Sequence, residues 1–71
     1  MSETPQERFK RIATKRSNRI IEQLEILANC SERKSYAFSV EQVEKMFGAI
    51  DAALQSAKNS FATTMFKKVE L

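Results

Sequence analysis

Apolar residues recur in two windows of the chain, each at the three-to-four-residue step of an amphipathic helix. In the first, Phe9, Ala13, Ile20, Leu24 and Leu27 fall in one narrow arc, with a gap at Arg16 and Ser17. At about 100° per residue such spacing makes a single apolar stripe. In the second window, Val43, Phe47, Ile50, Leu54, Ala57 and Phe61 step alternately by four and three residues, a cleaner, heptad-like seam.

Both windows open with start signals. Thr4 can accept a hydrogen bond from a free backbone N–H, Pro5 suits the first helical position, and Glu7 stands three residues after the threonine. This is a capping box with a proline at N1. Ser39 and Gln42 repeat the spacing, and Phe38 is placed to pack on Val43 as a hydrophobic staple. The first helix is therefore expected over about residues 5–29, since the pattern fades at Asn29 and Cys30, and Asn suits a helix end. The second is expected over about 40–62 or longer. Asn59, Ser60, Thr63 and Thr64 are weak helix formers, so its end falls between residues 60 and 68 and residues 63–71 are expected to fray.

Two long helices joined by the short stretch Ser31–Phe38 predict an all-α fold, an antiparallel two-helix hairpin in one domain over 1–71, with residues 1–4 as a disordered lead-in. A lone hairpin buries only one face of each helix and leaves Ile12, Ile21, Ile26, Val40 and Met46 wholly or partly exposed. Chains below about 70–80 residues usually need disulfides, a metal or a partner. The expected assembly is a homodimer forming a four-helix bundle. A three-helix monomer that uses the last ten residues as a separate helix is the alternative.

Composition narrows the chemistry. The chain has 71 residues, with no His, no Trp and one each of Gly, Pro and Cys. It therefore lacks a usual zinc-ligand set, a disulfide framework and a glycine-rich phosphate loop. No apolar run approaches the roughly 20 residues of a membrane span. The acidic, polar opening Met1–Glu7 does not read as a secretory signal, so a cytoplasmic location is expected. Cys30 has no histidine base to activate it, and Glu41, Glu44 and Asp51 lie on a helical surface with nothing apolar to raise a carboxyl pKa. The expected protein is not an enzyme and carries no cofactor or metal.

Charge adds the one candidate site. Lys and Arg number 12 against 9 Asp and Glu, a formal net charge of +3. Six of those bases, Arg8, Lys10, Arg11, Lys15, Arg16 and Arg19, fall in one segment with no acid among them. Arg8, Arg11, Lys15 and Arg19 cluster on the face opposite the apolar stripe. This is locally unfavourable, because like charges at i,i+3 and i,i+4 repel and cations sit badly near a helix N-terminus. A stripe that breaks two local rules is a candidate functional site. In a hairpin the charge would also be polarised. Residues 1–19 with 58–71 hold nine bases against three acids, whereas residues 20–57 hold three bases against six acids.

Three readings of the stripe compete. Arg8, Arg11, Lys15, Arg16 and Arg19 can neutralise the phosphates of DNA or RNA and release counterions. The same charges can meet an acidic protein or the negative end of a second protomer. The third reading is a solvated face that keeps the protein soluble. Nucleic-acid binding is the working expectation and a protein–protein module the alternative. Membrane-surface binding is disfavoured, because the apolar stripe is better used on the second helix and Glu22 and Glu25 oppose it. Tyr36 and Phe38 beside Arg33 and Lys34 suggest a base-stacking platform but suit a cover over the hairpin's open end better.

The stretches Glu7-Arg8-Phe9-Lys10-Arg11-Ile12-Ala13, Asn29-Cys30-Ser31 and Tyr36–Phe47 give the chain a pattern over most of residues 7–61. In this pattern it resembles an uncharacterised group of short helical proteins encoded on bacterial phages, plasmids and integrative elements. The resemblance implies a helical fold and a mobile-element context, and so an accessory role on DNA or against a host protein. It implies no residue roles.

Overall fold

The computed structural model describes residues 2–65, and all regular structure among them is helical. Helix α1 spans Pro5–Ala28, a single 3-10 turn covers Asn29–Ser31, and helix α2 spans Val40–Met65. The chain divides into two compact units, Met1–Ala37 and Phe38–Leu71. Each unit holds one long helix.

In the first unit the capping box closes in both directions. The Glu7 N–H donates to Thr4 Oγ1 at 3.1 Å, and the Thr4 N–H donates to Glu7 Oε1 at 2.9 Å. Thr4 is extended (φ −73°, ψ 160°), as an N-cap must be, and Pro5 occupies the first helical position. At the other end Asn29 stays right-handed (φ −65°, ψ −20°) and its N–H reaches the carbonyls of Ile26 and Leu27. The helix therefore tightens into the 3-10 turn instead of closing on a left-handed residue, and no non-glycine residue among those described has positive φ. The chain beyond is a bonded turn. The N–H groups of Ser35 and Tyr36 both donate to the Glu32 carbonyl, at 3.3 and 3.0 Å, and the Lys34 N–H donates to the Glu32 carboxylate at 3.0 Å. Glu32 thus organises the connection through its backbone and its side chain together.

The second unit begins with the neutral version of the same box. The Gln42 N–H donates to Ser39 Oγ at 3.1 Å, and the Ser39 N–H donates to Gln42 Oε1 at 2.9 Å. Phe38 and Val43 are both half-buried, as a staple requires. Helix α2 runs through the weak formers near its end. Ser60 Oγ donates to the Ser56 carbonyl at 3.2 Å, Thr64 Oγ1 to the Ser60 carbonyl at 3.0 Å, and Gln55 Nε2 to Asn59 Oδ1 at 3.0 Å. Hydroxyls that bond back to the preceding turn satisfy themselves without breaking the ladder. The helix reaches Met65, within the expected window, and the rest of the segment expected to fray, 66–71, lies outside the described residues.

Among the described residues no side chain is buried. The seam of α2 stays open to solvent, with Phe47 43%, Leu54 52% and Phe61 54% exposed, and on α1 Ile20 is 61% exposed. No helix among the described residues is long and apolar enough to cross a membrane.

Candidate nucleic-acid interface

A 24-residue helix holds its side chains in fixed angular order, so the basic segment becomes a surface with defined neighbours. Arg11, Ile12, Lys15, Arg16 and Arg19 line a shallow open groove of about 240 Å³ along α1. Four of the five residues expected to bind nucleic acid are thereby brought together. The fifth, Arg8, lies one turn nearer the N-terminus and is not in the groove's lining. From Arg8 to Arg19 the stripe extends about 16 Å at 1.5 Å per residue. Lys15, Arg16 and Arg19 form no ion pair with any described residue.

Two participants were not evident from the charge pattern. Ile12, half-buried, lines the groove together with its four cations. Glu3 is the other. Its carboxylate accepts two hydrogen bonds from Arg11, Nε to Oε2 at 2.8 Å and Nη2 to Oε1 at 2.9 Å, and Arg8 Nε stands 3.9 Å from Oε1. This residue belongs to the stretch expected to be a disordered lead-in, and within that stretch both Glu3 and Thr4 make defined bonds. The available signal was its position next to the N-cap. A carboxylate there meets the positive end of the helix dipole and lies within reach of long arginines in the first turns.

The electrostatics reflect this geometry. The Arg11 guanidinium holds the Glu3 carboxyl below the ordinary glutamate range, and Glu3 in turn raises Arg11. Glu7 is also lowered, chiefly by the Thr4 backbone N–H and then by the Thr4 hydroxyl. Both carboxylates are thus kept ionised at the head of a basic helix.

Elsewhere, Cys30 is a free, exposed thiol and Tyr36 is exposed. Among the described residues no three acidic, Cys or His side chains gather as metal ligands would. Comparison with protein-family models, with curated proteins and with solved structures finds no match for this chain.

Proposed function

We propose that the protein is a non-enzymatic nucleic-acid-binding accessory protein that lays the basic face of α1 against phosphates. The gathering of Arg11, Lys15, Arg16 and Arg19 around one groove carries this reading. Cations held side by side on a helix repel one another, and a row of phosphates relieves that repulsion and releases its own counterions. A helix is about 10–12 Å across with its side chains, and the major groove of B-form DNA is about 12 Å wide, so α1 fits a duplex end-on or lengthwise.

The accompanying architecture is the antiparallel hairpin of α1 and α2, paired with a second copy as a four-helix bundle. It is supported by the two apolar stripes that both helices present to solvent and by the lack of any buried side chain among the described residues. Apolar surface of this extent on 71 residues gains most by meeting a matching surface.

Salt titration of binding to random-sequence duplex and single-stranded DNA and to RNA tests the function. Four engaged cations give a duplex slope of about −3 to −4 in log K against log salt. Absence of binding at about 50 mM salt, where phosphate neutralisation is strong, removes the proposal. The exposed seam of α2, Phe47, Leu54 and Phe61 among it, favours a second reading. In that reading the chain is a protein-interaction module whose polarised charge sets dimerisation or captures an acidic partner. A chain that ignores nucleic acid yet sediments above its monomer mass would point there.

A further inference from the structure

The Glu3 carboxylate occupies Arg11 as a phosphate would. It takes two parallel N–H bonds from one edge of the guanidinium, with a second arginine 3.9 Å from the same oxygen that Nη2 bonds. Forked contact of this kind is the usual way arginine binds carboxylate and phosphate alike. The glutamate side chain is half-buried, at 29% exposure, while Arg8 and Arg11 keep 66% and 63%. The anion rests on the Arg11 guanidinium with Arg8 beside it, and both arginines keep most of their surface in water. Arg11 also lines the groove with Lys15, Arg16 and Arg19, so the occupied position lies at the groove's N-terminal end.

Resting on the nucleic-acid reading, we infer that Arg8 and Arg11 form a phosphate site whose resident occupant is Glu3, so that a nucleic-acid backbone displaces the carboxylate as it docks. The chain carries its own competitor beside its basic face. An exposed pair of this kind is weak enough to exchange, and a polyanion bound by the neighbouring cations presents its next phosphate at high local concentration. Glu3 therefore lowers affinity and removes one phosphate from the count that the salt slope reports.

The test compares the full-length parent with Glu3→Gln, Arg11→Ala and the Glu3→Gln/Arg11→Ala double variant, using a fluorescent random-sequence duplex of about one helical turn at low salt. Glu3 lies outside the Thr4–Glu7 box, so Glu3→Gln should leave the helix start intact, which circular dichroism checks. Glu25→Gln, which adds the same charge elsewhere on α1, is the control. Glu3→Gln is expected to tighten binding about twofold to fivefold and to steepen the salt slope by about 0.9. Glu25→Gln should do neither. In the Arg11→Ala background the Glu3→Gln gain should vanish, because the two residues act as one unit. Equal affinities for the parent and Glu3→Gln, both binding, overturn the displacement and leave the nucleic-acid reading standing. A gain that survives Arg11→Ala, or that Glu25→Gln reproduces, reduces the effect to overall charge and overturns it too. Absence of binding by the parent and by every variant removes both readings.

Discussion

The chain builds the same helix start twice, with one atom-scale difference. At α1 the returning side chain is the carboxylate of Glu7; at α2 it is the amide of Gln42. The four bonds are nearly equal in length, 2.9 and 3.1 Å in each box. Geometry is therefore retained while charge is not, and the difference suits the body of each helix. Helix α1 continues into six cations, for which a fixed anion at the positive end of the dipole is a direct electrostatic offset. Helix α2 continues into an apolar seam with Glu41 already in its first turn, so a neutral cap adds no further acid. A capping box can thus be chosen for its hydrogen bonds alone or for its charge as well.

Removing each cap breaks the comparison most directly. Thr4→Ala and Ser39→Ala should each cost about 1 kcal/mol. Thr4→Ala also frees Glu7 to move away from the basic segment. Helicity by circular dichroism and thermal midpoints measure both, and equal losses confined to the altered helix are expected. A change in nucleic-acid affinity should accompany Thr4→Ala alone.

Gly48 gives a somewhat smaller effect and concerns only α2. A Cβ built there meets nothing within 4 Å, and its φ is not positive. Gly48→Ala should therefore stabilise α2 by about 0.5–1 kcal/mol through helix propensity and a less flexible unfolded chain. α1 contains no glycine and offers no equivalent gain. A lower thermal midpoint for Gly48→Ala would mean that a partner surface covers this position.

Acid gives the smallest effect and sharpens the comparison most. Glu3 and Glu7 both have folded-state pKa values below the ordinary one. Their contribution is present above that ordinary value, near pH 4.5, and is lost as pH falls through the lowered values. The start of α1 should loosen in acid while the start of α2, held by Gln42, stays as it is. Followed by NMR, the Thr4 amide, which donates to the Glu7 carboxylate, should shift as pH falls below the ordinary glutamate value, and the Ser39 amide, which donates to the neutral Gln42 side chain, should not. Glu7→Gln should abolish the Thr4 amide response, so that the two boxes behave alike while Glu3 still titrates.

Much of the local structure was legible in the residue order. Thr4, Pro5 and Glu7 marked one start, and Ser39 and Gln42 the other. The step of three to four placed both helices to within a few residues of Ala28 and Met65. These features depend on atoms no more than four residues apart, so the chain carries their instructions in each window. The side-chain hydroxyls that carry α2 past Ser60 were less legible. A propensity scale counts serine and threonine as weak formers, whereas here they bond back to the preceding turn.

The candidate site divides along the same line. Residue order alone determined that Arg8, Arg11, Lys15 and Arg19 share one side of a helix, because angular position comes from counting. The same counting puts Ile12 one to seven residues from Arg11, Lys15, Arg16 and Arg19 on that helix, whereas only the folded arrangement decided that Glu3 closes on Arg11, eight residues away. Helical periodicity says nothing about a residue that precedes the helix. The extended backbone at Thr4 sets where the carboxylate goes, and the long arginine side chain completes the reach.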